Sequence, residues 1–214
     1  QLYPDCRTPL EAARYVADGN TRCVASPERI ARERASDQVR REWGRWAVQR
    51  IRQASTDTFD QSVLRYLTQA RGIASGVVQE AWRRGILAGM PGSAEVATQW
   101  LRAVVGDEGL VNAGLWLKDR DQPWIAGRPL IQFVDNCELA EFRILYKPKP
   151  GASTKKTLSV GLPGAPFFWR GADPTTCLVV EGCLEMLAGV TMGYRGHVVG
   201  TAGTGCWDLK WFEA

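Results

Sequence analysis

Hydrophobic and polar positions follow one rule in the first half of the chain and another in the second. Behind Ser26-Pro27-Glu28, apolar side chains recur at Ile30, Val39, Trp43, Trp46, Ala47 and Ile51, mostly three or four residues apart. A serine N-cap, a proline at the first helical position and an acid in the first turn open a helix, so 26–53 is predicted as one long amphipathic helix. The stripe Phe59, Val63, Leu64 and Leu67 predicts a second helix over 58–69, ended by Arg71-Gly72-Ile73. Ser75 opens a short helix through Trp82, a glycine-rich break occupies 85–92, and Ser93 caps a further helix with Val96, Trp100, Leu101 and Val104 on one side. The first 25 residues carry turn signals around a short helix over 9–17.

From Gly106 glycine and proline become frequent and apolar runs shrink to strand length. Residues 114–118, 130–134, 141–146 and 157–160 read as strands of a small antiparallel sheet. Cys177-Leu178-Val179-Val180 is a continuous apolar run, which suits a strand buried on both faces of a parallel sheet. Glu181-Gly182 follows, a helix runs over 184–187 to Gly189, and His197-Val198-Val199 is the next strand, closed by the glycine-rich loop 200–205. The fold class expected is α+β: a helical N-terminal part, a small mixed sheet, then a strand–helix–strand segment with parallel strands.

The 214 residues, 45% of them hydrophobic, suffice for a sizeable core. No run approaches the ~18 apolar residues of a membrane span, and no signal-peptide pattern opens the chain, so a cytoplasmic protein with no membrane partner is expected. Six cysteines without a CxxC pair are expected to be reduced, buried thiols. The net charge of +4 is local: the 26–53 stretch holds eight arginines against four acids, and the rest of the chain is balanced. Its basic face is either solvated and laced with Glu/Arg pairs, or a surface that approaches phosphates. Only one histidine, His197, is present, so a Ser/Cys–His mechanism has one candidate base and a zinc site needing two or three histidines is excluded.

Chemistry therefore rests on carboxylates, basic side chains and a hard metal ion. Glu181 stands where a strand meets a helix, Gly182 lets a ligand approach the backbone, and Glu185 is one helical turn on. Paired carboxylates at a strand end suit Mg²⁺, which prefers oxygen ligands and bridges to phosphates. An isolated acid at such a position also serves as a plain helix cap, and both readings stand on these residues alone.

The string Cys177-Leu-Val-Val-Glu-Gly-Cys-Leu-Glu-Met-Leu-Ala-Gly-Val190, followed by Val198-Val-Gly-Thr-Ala-Gly-Thr-Gly205, resembles the opening half of a Toprim domain, the metal-binding module of bacterial-type primases, topoisomerases and some nucleases. Glu181 matches the family's signature glutamate, and Glu185 stands where the primase branch usually carries aspartate. Upstream, Leu64-Arg-Tyr-Leu-Thr-Gln-Ala-Arg-Gly-Ile73 resembles the "YL…RGI" segment of the primase polymerase core, and 109–118 its "AGL" segment. Arg128-Pro-Leu-Ile-Gln-Phe133 is similar to the arginine-led strand after it, and Lys155-Lys156 sits where that family places a basic residue before Toprim. The resemblance covers roughly 58–206 and is strongest to primases of phages and mobile elements.

That resemblance implies a primase-type nucleotidyltransferase acting in DNA replication: Mg²⁺-dependent (or Mn²⁺-dependent), template-directed synthesis of short primers from nucleoside triphosphates on single-stranded DNA. Glu181 and Glu185 would be catalytic, with Glu181 also a metal ligand. Arg71, Arg128, Arg143, Lys155 and Lys156 would meet template or nucleotide phosphates, and a replicative helicase domain or protein would be a partner. Three regions are expected: 1–57 with the basic helix, 58–174 as the core's N-terminal subdomain, and 175–214 as the first half of a Toprim domain. The family's third Toprim strand bears an Asp-x-Asp motif, and the chain stops where that strand would begin. Asp119-Arg-Asp121 lies upstream in a turn and is a poor substitute. With Gln1 rather than Met at its start, the chain is expected to be part of a longer protein. The alternatives are a non-catalytic single-stranded DNA-binding module with a degenerate Toprim, and a Toprim nuclease.

Overall fold

The computed structural model describes residues 27–55, 61–117, 120–145, 157–161 and 165–201, with side chains from residue 35 onward. The 9–17 helix, Phe59, Lys155, Lys156 and the loop after Thr201 lie outside the described residues. The chain divides into two compact units, Gln1–Val39 and Arg40–Ala214. In the first, the described residues are helical; the second carries everything that follows.

Helix α1 spans Pro27–Ala54, as the capping pattern predicts. Ala47, Val48 and Ile51 are fully buried, whereas Val39 is 54% exposed and Trp46 39%. Several of its arginines turn back onto the protein: Arg45 pairs with Glu138 at 3.4 Å, Arg50 Nε donates to the Val104 carbonyl at 3.3 Å, and Arg52 lies over the Phe133 ring. A short helix α2 (Gln61–Arg65) continues as a π turn over Tyr66–Ala70, and α3 spans Ser75–Arg83. Within the stretch read as a glycine-rich break lies strand β1 (Leu87–Gly89). Helix α4 (Ala94–Val105) buries Ala97, Leu101 and Val105, one position round from the stripe expected, so Val96 is 51% exposed.

Residues 114–117 do not form the strand expected over 114–118. Helix α5 (Asp107–Asn112) ends there in a Schellman closure: Gly114 N–H donates to Val111 O and Leu115 N–H to Leu110 O, with Gly114 at φ 68°. The apolar run that looked β-prone is the capping turn of a helix.

Strands β2 (Leu130–Phe133), β3 (Leu139–Arg143) and β4 (Thr157–Gly161) join β1 in an antiparallel sheet of order β1-β2-β3-β4. β2 is buried on both faces, and β3 nearly so. Ile131, Phe133, Ala140 and Phe142 face one core with Ala47, Ile51 and Leu101. Leu130, Val134 and Leu139 face a second core with Val63, Leu67 and Val78 and with the downstream segment through Leu184 and Leu187.

That segment is a second sheet, β5-β7-β6, made from β5 (Phe167–Trp169), β6 (Asp173–Val180) and β7 (Gly196–Gly200), with helix α6 (Cys183–Thr191) between the last two. β6 and β7 are parallel, Cys177 to Val180 pairing with His197 to Gly200, which is the strand–helix–strand unit expected. β5 is antiparallel to β7, so the sheet is mixed. β6 departs from expectation in burial. It lies at the sheet edge with Cys177 and Val179 exposed, because α6 covers only one of its faces. Gly189 allows that cover to be close: a Cβ there would meet the Leu178 side chain at 3.1 Å. The fold is α+β, with six α-helices and two sheets among the described residues.

Candidate functional site

The carboxyl ends of the two parallel strands are tied together. Thr201 N–H donates to Val180 O at 2.9 Å, and the Thr201 hydroxyl donates to Glu181 O at 3.0 Å. Gly200 and Gly182 are in close contact, since a Cβ on Gly200 would lie 2.6 Å from the Gly182 carbonyl. The Glu181 backbone is thus fixed while its side chain is exposed. Glu185, in the first turn of α6, is also exposed and turns its carboxylate back over Gly182, where a Cβ would meet Oε2 at 2.8 Å. Both acids therefore flank the same turn, at the positive end of the α6 dipole.

Facing α6 across the second core is a polar strip on the antiparallel sheet, of which the sequence reading singled out Arg143 but not Gln132 or Glu141. The register pairs Gln132 with Glu141 and Leu130 with Arg143, and Gln132, Glu141 and Arg143 all point to the α6 side. Arg143 Nε donates to Gln132 Oε1 at 3.2 Å. Glu141 is 9% exposed, and burial pushes its carboxyl above the ordinary value, with Arg143 opposing the shift and Glu185 adding to it. Cys183 is 1% exposed; burial pushes its thiol up, Glu141 adding to the shift and Gln132 opposing it. Gln132 is fully buried, and its Nε2 is without a hydrogen-bond acceptor. The signal for this strip was present: a glutamine, a glutamate and an arginine alternate with Ile131, Phe133, Ala140 and Phe142 on strands whose other face is wholly apolar.

The basic residues expected around the acids are dispersed. Arg143 belongs to the strip beside Glu185. Arg71 is exposed, with Nε donating to Tyr66 Oη at 2.8 Å and its guanidinium over the Tyr66 ring. Arg128 is 6% exposed, bonds to Trp124 O, and is pulled below its ordinary pKa by burial. Lys155 and Lys156 lie outside the described residues. His197 is engaged locally: its Nδ1 accepts the Gly171 N–H at 3.2 Å and its ring packs against Phe168. Of the cysteines described, Cys183 is buried but Cys177 is exposed, against the expectation of uniformly buried thiols, because β6 is an edge strand. No disulfide occurs among them.

The donor set at the turn, two exposed carboxylates, fits a hard divalent cation. Among the described residues no group of three or more acids, cysteines or histidines comes together as a metal cage. Asp121, exposed in its turn, is outside the donor set. No helix among the described residues is long and apolar enough to cross a membrane.

No family model and no curated protein matches the chain. Among solved structures, the DnaG primase catalytic domain bound to ssDNA matches with 16% identity and a TM-score of 0.48, over 77% of this chain and 57% of that one. The chain thus spans little more than half the length of that structure.

Proposed function

We propose that this chain is the polymerase-core part of a primase-like nucleotidyltransferase that makes short primers on single-stranded DNA. The observation that carries the reading is the turn itself. A strand, Glu181-Gly182, a helix with Glu185 in its first turn, and a parallel strand returning to Thr201 stand in the order of the Toprim resemblance, with both acids exposed at the strand ends. Ligands of open α/β units bind at this end of the strands.

In this reading Glu181 and Glu185 hold Mg²⁺, which supplies charge neutralisation for a nucleotide triphosphate and its leaving pyrophosphate. The reaction joins a primer 3′-hydroxyl to the α-phosphorus of an incoming nucleotide; the hydroxyl proton leaves and the α–β phosphoanhydride bond breaks to release pyrophosphate. Arg143, placed by its bond to Gln132 on the strip facing α6, is the basic side chain that meets phosphate charge in this reading. Thr201 keeps the Glu181 turn in register with β7.

Primer synthesis from nucleoside triphosphates on single-stranded DNA, compared between the protein and its Glu181→Gln and Glu185→Gln variants, tests this. Loss of product in both, with single-stranded DNA still bound, supports the reading. Product undiminished in both variants removes these acids from the chemistry. Metal-independent strand binding with no product from any form assigns the protein instead to a non-catalytic binding module.

A further inference from the structure

We propose that a cavity of about 370 Å³ between the end of α1, the end of α3, β1 and Phe133 is a binding site for the phosphate of a nucleotide, independent of the Glu181 turn, with which it shares no lining residue. Three arginines, Arg52, Arg83 and Arg84, line it together with Trp82 and Phe133. None of the three takes part in the function proposed above.

Arg52 decides the chemistry. Its guanidinium is half-buried over the Phe133 ring, 5.6 Å from the centroid, and burial pulls its pKa down, with only the longer-range charge of Asp135 opposing. It makes no hydrogen bond or ion pair with a side chain among the described residues. A guanidinium carries five N–H donors, and leaving them unfilled away from water costs free energy. A phosphate, which takes two parallel N–H bonds from one guanidinium, is the ligand that matches this fork.

The sequence makes room for that fork. Gly85, at φ 67°, ends α3 by passing its N–H to Trp82 O, while Ile86 N–H bonds to Ala81 O. A Cβ at Gly85 would lie 2.5 Å from Arg52 Nη2, so the guanidinium occupies the space a side chain would fill. The other two arginines are held at the rim. Glu80 accepts bonds from Arg83 at 2.7 and 2.8 Å and from Arg84 at 2.7 Å, and Arg84 also lies over Trp169 at 4.2 Å. Glu80 and Asp135 offset two of the three positive charges, leaving a site of modest charge in which shape and hydrogen bonding select the anion. The cavity exceeds one phosphate and is at the lower end of ligand pockets, ~300–1,000 Å³. With Trp82 as an apolar wall, it has room for the sugar or base that a nucleotide carries.

The phosphate can arrive on a free nucleotide or within a DNA strand, and two probes separate these sources. Binding of ATP and of a short oligothymidylate to the full chain is measured in EDTA, which removes any metal-dependent binding at Glu181. Arg52→Met keeps an unbranched stem of similar length and loses the guanidinium fork; it is expected to weaken binding about tenfold. Arg83→Gln, at a side chain 74% exposed, is expected to weaken it about threefold. Loss confined to ATP identifies a free-nucleotide site, and loss confined to oligothymidylate a strand site. Failure of the wild-type chain to bind either probe overturns the proposal, as does a folded Arg52→Met protein that binds both as the wild type does. Should Arg52→Met not fold, an unchanged affinity in Arg83→Gln overturns it.

Discussion

The Thr201 hydroxyl donates a hydrogen bond of 3.0 Å to the carbonyl oxygen of Glu181, binding the end of one parallel strand to the end of the next. Thr201 is 2% exposed, so little water is available to replace that bond. Thr201→Val keeps the shape and removes the donor, leaving the Glu181 carbonyl short of a partner. The expected loss is about 1 kcal/mol in urea unfolding, the size of one buried hydrogen bond. Under the function proposed above, the looser Glu181 turn should lower primer synthesis while single-stranded DNA binding is retained.

Gly200 makes the stronger prediction at the same turn. A Cβ there would lie 2.6 Å from the Gly182 carbonyl oxygen and 3.3 Å from Phe167 Cβ. The first neighbour is backbone and cannot rotate aside. Gly200→Ala is expected to cost about 1–3 kcal/mol through overpacking and to displace the turn that carries Glu181. A stability equal to wild type in thermal melts would show that the strand ends are looser than this contact implies.

Glu141 sets a pH dependence. Its folded-state pKa is raised, so between its ordinary value near 4.5 and the raised value the folded protein binds more protons than the unfolded chain. By linkage, stability then falls as pH rises through that window; the contribution is fully present below it. Glu141→Gln removes the titrating group while keeping the shape, so urea midpoints measured from acid to neutral pH should lose this downward slope. A slope unchanged in the variant would place the titration elsewhere.

How far the sequence carried depended on whether the decisive signal was local. The α1 start at Pro27, the strand–Glu181–helix–strand order and the 130–134 and 157–160 strands were legible because capping, a short apolar run and β-branched residues act within a few positions. Three-residue β1 was not, since its strand character comes from pairing with residues 130–132 rather than from its own Leu-Ala-Gly. The exposed face of β6 was also illegible: a run of Cys, Leu, Val and Val reads as buried on both sides, and only the sheet order places it at an edge. The acids of the candidate turn were found from spacing, whereas Gln132 and Glu141 were passed over as ordinary strand residues. Their meaning appears only when register aligns them opposite α6.

Cys183 provides a reporter of that interface. It is 1% exposed at the start of α6, and burial together with the charge of Glu141 pushes its thiol well above the ordinary range, so thiolate is scarce in the folded protein. Cys177, on the exposed edge strand, is also raised by burial, but its sulfur can be reached from solvent. Iodoacetamide followed by peptide mass mapping should label Cys177 first and Cys183 only when α6 opens from the antiparallel sheet. Gln132→Leu removes an amide that opposes the rise of the Cys183 thiol and puts an apolar side chain in its place. Cys183 labelling in that variant should be slower still in the folded state. Faster labelling in a variant of undiminished stability would mean that Gln132 keeps α6 closed rather than tuning the thiol.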